Sequence, residues 1–541
     1  MTKIQEKLIK NDIIPLSIIV FLSLFYFIGL GYNHLFDWDE INFAECAREM
    51  IKSGNFLQVQ INFEPFYEKP PLFIWMQVLS MSIFGINEFA SRFPNAIFGV
   101  ITLISLFYIG KKYKDRLFGL IWSLLYFGSL LPHIYFKSGI IDPVFNFFIF
   151  CSIYFMIRTI NDEKTHFAIL SGIFSGLSVL TKGPVGFLIL FLTILVYLII
   201  SKFRDFPKIK YIITFFLCFA ITISFWFGIE SIVNGTEFIK QFIIYQIELF
   251  TKPVAGHEQA FYYHFVVVFF GCFPFSIFAL NSFTFRKKET NMNFLKWMQI
   301  LFWVVIILFT IVKTKIIHYS SMTYMPLAFI GSYTLYKFII NKSIKKWILY
   351  LYTFVGFIIS SLFVALPVVA YNKEKIIPYI NDKFAVDNLM QNVVWSGYEY
   401  IIGLFMFGFI VISVLMIRKN KVITALLTQS VGIAITLLMF LFMVVPKIEQ
   451  YSQGAAINFF KEVKSKDVYF KNVGYKSYAP YFYGEIKADN NPLSKDYDWL
   501  YSGPIDKPVY FITKTTYHDL SNDNVRLYKT IGGFKIYLRT P

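Results

Sequence analysis

Charged residues are scarce in this chain. Of 541 residues only 16% are Asp, Glu, Lys or Arg, against 56% that are hydrophobic. A water-soluble domain of this length needs roughly a quarter of its residues charged to cover its surface, so a soluble globular protein is excluded. Cysteine is rarer still. Cys46, Cys151, Cys218 and Cys272 are scattered, with neither disulfide nor metal-ligand spacing. Acidic residues are outnumbered 34 to 51, which leaves a net charge of +17. The basic residues nevertheless sit in short clusters between apolar runs, not beside aromatic platforms on a soluble face. That pattern is a topology signal, and it excludes nucleic acid as the partner. The first apolar run, 13–30, follows Lys3, Lys7 and Lys10. It is too long for a signal peptide and lacks a small-x-small cleavage site, so it reads as a retained span.

What is abundant is phenylalanine, with 65 residues, as suits lipid-facing helices and aromatic belts. Apolar runs of about 18 to 22 residues recur, enough to cross some 30 Å of hydrocarbon at 1.5 Å per residue. The pattern predicts a polytopic α-helical membrane protein with about thirteen spans, near 12–31, 93–110, 117–133, 140–157, 167–181, 183–201, 211–229, 262–281, 297–312, 319–339, 347–370, 397–417 and 422–445. Basic clusters fall at every second loop: 111–116, Arg158 with Lys164, 202–210, Arg286-Lys287-Lys288, 342–346 and 418–421. They assign those loops and the N-terminus to the cytoplasm. Loops 32–92, 181–184, 230–261, 313–318 and 371–396 then lie on the extracytoplasmic side, together with the C-terminal segment. Within the first of them, 71–84 is apolar but too short to span, and reads as an interfacial or re-entrant helix. Two domains are expected: 1–446 in the membrane and a small soluble α/β domain over 447–541. The latter shows helical spacing at 453–463 and strand-like alternation at 467–472, 508–513 and 534–538.

The first outer loop carries the clearest chemistry. It contains Asp37-Trp38-Asp39-Glu40, then Ala47-Arg48-Glu49-Met50, then Tyr67-Glu68-Lys69-Pro70-Pro71. Charges packed near a membrane need partners or a function, because an unpaired buried charge is costly. One reading is a solvated loop whose charges pair with one another. The other is catalytic. Asp39 is placed to take a proton from an incoming hydroxyl or amine, and Lys69 is a compact cation suited to a leaving phosphate. The prolines stiffen the backbone behind that lysine.

The ordered series Trp38-Asp39-Glu40, Ala47-Arg48-Glu49-Met50, Glu68-Lys69-Pro70-Pro71-Leu72, Trp75, Phe84-Gly85 and Glu88-Phe89-Ala90-Ser91-Arg92-Phe93-Pro94 resembles the ArnT-related bacterial glycosyltransferases. These belong with the protein O-mannosyltransferase-like enzymes of the GT-C fold. Asp142-Pro143, Gly176-Leu177-Ser178-Val179-Leu180-Thr181-Lys182-Gly183-Pro184, His257-Glu258-Gln259-Ala260-Phe261-Tyr262-Tyr263, Gly271-Cys272-Phe273-Pro274-Phe275-Ser276 and Lys315-Ile316-Ile317-His318-Tyr319 extend the resemblance. It covers roughly residues 10–340. It implies transfer of a sugar from a polyprenyl-phosphate donor to a hydroxyl of a lipid A-like glycolipid, glycan or protein. The reaction would proceed with inversion and without a required cofactor, at the outer face of a bacterial cytoplasmic membrane. Asp39 matches the catalytic carboxylate, with Glu40 beside it. Lys69 and Lys182 match residues that engage the donor phosphate. In these enzymes a glutamate and a histidine near the site can hold a structural zinc. The matching positions are Glu68 and His257, and two ligands are a poor zinc site by themselves. Glu68 paired with a nearby cation is the alternative.

Arg48 and Arg92 are further candidates for a phosphate or carboxylate partner. Lys315, His318 and Tyr319 stand at the outer end of a span and are candidates to line the pocket. For His318 a structural hydrogen bond and a catalytic role are both open. Asp142, before Pro143, reads either as a helix cap or as a site residue. Lys137 and Lys313 are expected to snorkel to the interface, and loop 371–396 to gate the acceptor. The competing reading of the whole chain is a transporter or flippase of lipid-linked sugars. That class is marked by inverted repeats and mid-membrane charges. No convincing repeat is found, and the polar residues gather on one side. A membrane-anchored adhesion or sensor module ranks last, since 447–541 carries no ligand motif.

Overall fold

The computed structural model describes residues 11–252, 259–283, 293–464, 466–489 and 491–541. The N-terminal lysines and the basic cluster 286–288 lie outside the described residues.

All thirteen apolar segments carry helix, but not thirteen full-length spans. Among the described residues, seven helices are long and apolar enough to cross a membrane: Glu88–Tyr113, Asp142–Asp162, Ile209–Asn234, Phe294–Ile311, Lys346–Tyr371, Ile401–Arg418 and Val422–Gln450. An eighth is a pair, Tyr263–Gly271 and Phe275–Ser282, bent by 107°, at a point where Pro274 cannot donate a helical hydrogen bond. Ile13–Tyr26, Arg116–Phe127 and Val185–Ile200 are apolar but shorter. Among the described residues, seven or eight of the thirteen expected spans meet this test of length and composition, and the others are shorter, broken or less apolar helices. The reason is local. The expected span 117–133, for example, stops at Phe127 and resumes as Leu130–Tyr135.

Helix ends follow their caps. The Asn87 side chain accepts from the Ala90 N–H at the start of Glu88–Tyr113, and Asp115 accepts from the Phe118 N–H at the start of Arg116–Phe127. These two helices approach so closely that a Cβ on Gly119 would lie 2.3 Å from the Phe107 carbonyl oxygen.

The loop 32–92 is ordered by buried charge. It holds the helix Asp39–Ser53, a hairpin of β1 (Gln60–Ile61) and β2 (Glu64–Pro65), and the helix Leu72–Phe84 where a short membrane-surface helix was expected. The Arg92 guanidinium donates to both oxygens of Glu40, at 2.9 and 2.8 Å, and to the carbonyls of Leu30, Asn33 and His34 at 2.7–2.9 Å. Glu40 also accepts from the Phe36 and Gly139 N–H groups. Burial pushes the Glu40 carboxyl up most strongly. Arg92 and the two N–H groups outweigh it and hold the carboxyl below its ordinary range. Lys137 does not snorkel outward. Its ammonium donates to the carbonyls of Phe25, Tyr26 and Ile28, closing the open C-terminal end of the first helix.

Beyond Gln450, the helix Gly454–Val463 leads into a four-stranded sheet of order β3-β4-β6-β5, comprising β3 (Tyr469–Asn472), β4 (Val509–Lys514), β5 (Val525–Ile531) and β6 (Phe534–Arg539). β3 and β4 are parallel and the remaining pairs antiparallel. β5 escaped the sequence pattern because it is an edge strand with five successive exposed residues, so it lacks a clean apolar alternation. The segment 371–396 contains the helix Lys383–Leu389 and docks on this sheet, where Asn388 accepts from the Gly533 N–H at 2.9 Å.

Arg92→Met leaves Glu40 buried and unpaired. It should cost about 3–5 kcal/mol of stability, read as a large drop in the unfolding midpoint of the detergent-solubilised protein. Adding Glu40→Gln should recover part of that loss.

Candidate active site

Four elements converge on one polar cluster. Asp39 is the first residue of the helix Asp39–Ser53 and follows Trp38, whose φ of 76° lies in the left-handed region. A bulky residue there is strained and needs surrounding contacts to hold it. The Asp39 carboxylate is 41% exposed and lies 3.5 Å from His318 Nε2. Asp142 opens the helix Asp142–Asp162 but makes no capping hydrogen bond. Instead its Oδ1 accepts from Lys182 Nζ at 2.6 Å, and its Oδ2 lies 3.8 Å from His318 Nε2. Lys182 ends the helix Thr165–Lys182. The chain turns at Gly183, whose φ of 108° and 2.5 Å Cβ approach to the Phe242 ring admit only glycine. The Lys182 ammonium also sits over the Tyr319 ring, 4.9 Å from its centroid.

Lys69 completes the group. Its ammonium lies 5.0 Å from the centre of the Tyr245 ring and near enough to Asp39, Asp142 and Lys182 to feel their charges. Burial is the largest influence on it and holds its pKa below that of an ordinary lysine, although Glu68 and Asp39 pull the other way. No carboxylate among the described residues ion-pairs with it. Lys69, Asp142, Lys182 and Tyr319 line a cavity of ≈ 390 Å³. Most of its remaining wall is apolar, including Phe187, Leu188, Ile189, Leu308 and Phe309. A cavity of this kind accepts an apolar chain carrying one anionic group, next to an open carboxylate.

The structure thus brings together Asp39, Lys69, Asp142, Lys182, His318 and Tyr319. It places the other candidates elsewhere. Glu40 is locked against Arg92 and offers no open oxygen edge for catalysis. Arg92 spends its donors on Glu40 and three carbonyls, so it has none for a phosphate. Arg48 is buried in a two-bond pair with Glu45 and donates to the Ile486 carbonyl. Lys315 is buried and turns back to the Val312 carbonyl at 3.1 Å. Glu68 lies 3.5 Å from the Lys476 ammonium, and His257 lies outside the described residues. Among those described, no three ligating groups gather. Glu68 by itself supplies one ligand of the four that a structural zinc site takes.

Sequence reasoning missed Tyr245, because 230–261 read as a loop. It contains the helix Glu237–Thr251, whose buried Phe238 and Phe242 are the 3.6-period signal that could have shown it. It also missed what steadies the Trp38 turn. Gln453 Nε2 donates to the Leu35 carbonyl at 2.8 Å and its Oε1 accepts from the Asp37 N–H at 2.9 Å. The Asp37 carboxylate accepts from the Trp38 and Tyr478 N–H groups, and Lys476 covers the Trp38 ring. These partners stand more than 400 positions away, and no local pattern announces them.

A family model described as dolichyl-phosphate-mannose-protein mannosyltransferase matches residues 68–226. An uncharacterised protein of Aquifex aeolicus (strain VF5) is 30% identical over 340 residues, 61% of this chain and 65% of its own length. The undecaprenyl phosphate-alpha-4-amino-4-deoxy-L-arabinose arabinosyl transferase of Wigglesworthia glossinidia brevipalpis is 27% identical over 358 residues, 64% of this chain and 62% of its own length. The chain therefore spans less than two thirds of each of these relatives. Among solved structures, ArnT from Cupriavidus metallidurans bound to undecaprenyl phosphate superposes with a TM-score of 0.75 at 15% identity, over 96% of this chain and 97% of that one. The architecture is shared over nearly the full length.

Gln453→Ala removes both bonds that hold the Leu35–Asp37 backbone. With each worth about 1 kcal/mol, amide exchange in peptide 35–40 should quicken about tenfold or more by mass spectrometry. Exchange in the helix Asp142–Asp162 should stay unchanged.

Proposed function

We propose that this chain, which has the ArnT-like GT-C fold, transfers a sugar from a polyprenyl-phosphate donor to an acceptor hydroxyl at the outer face of a bacterial cytoplasmic membrane. The observation that carries the reading is the placement of two lysines, Lys69 and Lys182, on the wall of a largely apolar cavity beside the exposed carboxylate of Asp39. A polyprenyl tail belongs against Leu188, Ile189 and Leu308, and its phosphate between the two ammonium groups. The names of the arabinosyl transferase relatives and of the undecaprenyl-phosphate complex point to the same donor chemistry. The basic residues at 111–116 and 158–164 stand at the ends of the helices Glu88–Tyr113, Asp142–Asp162 and Thr165–Lys182 opposite Arg92, Asp142 and Lys182, which supports this orientation.

The chemistry is an exchange of one bond for another. The acceptor oxygen attacks the anomeric carbon as the sugar–phosphate bond breaks, and the pair of electrons leaves with the phosphate. Asp39 receives the hydroxyl proton. His318, 3.5 Å away, orients that carboxylate. Lys69 and Lys182 offset the charge that develops on the leaving phosphate, so no metal ion is called on in this reading. Asp142 keeps Lys182 aimed into the cavity, and Tyr319 and Tyr245 wall the ammonium groups. In-line attack from the Asp39 side inverts the anomeric centre. The acceptor is a glycolipid, glycan or protein hydroxyl, and the domain 447–541 lies where it can meet it.

Two outcomes test the reading. Asp39→Asn should lower turnover by at least about a hundredfold while leaving polyprenyl-phosphate affinity intact in reconstituted bilayers. Near-normal turnover would remove Asp39 from the mechanism. The depressed pKa of Lys69 predicts that it loses its charge at a lower pH than an ordinary lysine. Polyprenyl-phosphate affinity should therefore fall as pH rises through the alkaline range, before exposed lysines titrate. Lys69→Arg, which stays charged, should flatten that fall.

A further inference from the structure

A second cavity, of ≈ 470 Å³, lies at the seam between the first loop and the C-terminal domain and shares no lining residue with the donor pocket. Its lining contains six lysines against three acidic residues. The acids are already paired: Lys507 holds Asp467 and Asp489 at 3.2 and 2.7 Å, and Lys464 holds Glu485 at 3.0 Å. Lys471 donates only to a neutral carbonyl, that of Lys495, at 2.6 Å. Lys466 and Lys487 meet no acidic partner among the described residues. Three positive charges therefore face one concave space without compensation. Aromatic side chains, Phe470 and Tyr481, share the wall.

The cleft is built rather than incidental. Asn62 and Phe63, with φ of 57° and 55°, form one lip, and Glu485, with φ of 50°, begins the other. Non-glycine residues hold this conformation only where their surroundings enforce it. Glu49 enforces the first, accepting from the Asn62 and Phe63 N–H groups at 2.6 and 2.8 Å. Arg48 anchors the second through the Ile486 carbonyl at 2.8 Å. Both anchors stand on the helix that begins with Asp39. Glu49 is ten residues along it, about 15 Å from the helix start at 1.5 Å per residue.

We propose that this cleft binds an anionic saccharide through Lys466, Lys471 and Lys487, with the sugar face against Tyr481. On the transferase reading, on which this step rests, the ligand is the part of the acceptor remote from the reacting hydroxyl. Charge-assisted bonds from lysine to a phosphate or carboxylate supply the affinity. The spacing along the helix selects acceptors long enough to reach both the cleft and Asp39.

The test uses the full chain in phosphatidylcholine nanodiscs, with binding of glucosamine 6-phosphate, glucosamine and inorganic phosphate followed by calorimetry. Glucosamine 6-phosphate should bind more tightly than either other probe. The combined Lys466→Ala, Lys471→Ala and Lys487→Ala variant should weaken it at least about tenfold, and the corresponding arginine variant should retain it. Lys466 and Lys487 are exposed and Lys471 is half-buried, and retained binding in the arginine variant shows that the fold persists. Unchanged affinity in the alanine variant would place the ligand elsewhere and overturn the proposal. So would absence of binding, or inorganic phosphate binding as tightly as the sugar phosphate. Asp39→Asn should leave this binding untouched, so a failure of the transferase reading would appear in turnover alone.

Discussion

A carboxylate at the start of one apolar helix and an ammonium at the end of the next, 2.6 Å apart, hold this site together. Neither Asp142 nor Lys182 could sit there alone, because an uncompensated charge beside hydrocarbon is expensive. Paired, they fix how the helices Asp142–Asp162 and Thr165–Lys182 meet and leave Lys182 donors free to face the cavity. They also set Tyr319 beneath the ammonium and His318 beside the carboxylate. The same constraint acts one layer out. Arg92 with Glu40, and Arg48 with Glu45, are buried pairs that shape the first loop. Charges in this region divide into those that are fully satisfied by protein and those that are left incompletely satisfied. The second group is Lys69, Asp39 and the remaining donors of Lys182.

That division explains what could be read from the sequence and what could not. Helical character, the loop carrying Asp39 and Lys69, and a C-terminal α/β segment all follow from apolar runs, turn residues and period. The exact number of spans does not, since an apolar run says nothing about breaks such as those at 128–129 and 272–274. Asp39, Lys69 and Lys182 could be singled out because charges in otherwise apolar surroundings stand out. Telling them from Glu40, Arg48 and Arg92 requires knowing who pairs with whom, over separations of 52 residues for Glu40 and Arg92. The Asp142 carboxylate looked equally like a cap and a site residue, because Asp before Pro is common to both. Only the position of Lys182 separates them.

The C-terminal domain enters the same account. It reaches the first outer loop through Gln453, Tyr478 and Lys476 and holds the strained Trp38 turn from which Asp39 projects. Its sheet is tied in turn to the segment 371–396 through Asn388 and Phe384. A domain without a recognisable motif of its own thus clamps the loop that carries Asp39. Its seam with that loop forms the lysine-lined cleft.

The proposed resting place of the donor phosphate lies between Lys69 and Lys182. It is tested most directly by a high-resolution structure of the protein in a lipid nanodisc with polyprenyl phosphate. Phosphate density is expected within hydrogen-bonding distance of both Lys69 and Lys182, with the tail running against Leu188, Ile189 and Leu308. Phosphate density at the other cavities, or beside Arg48 or Arg92 in place of these lysines, would contradict it.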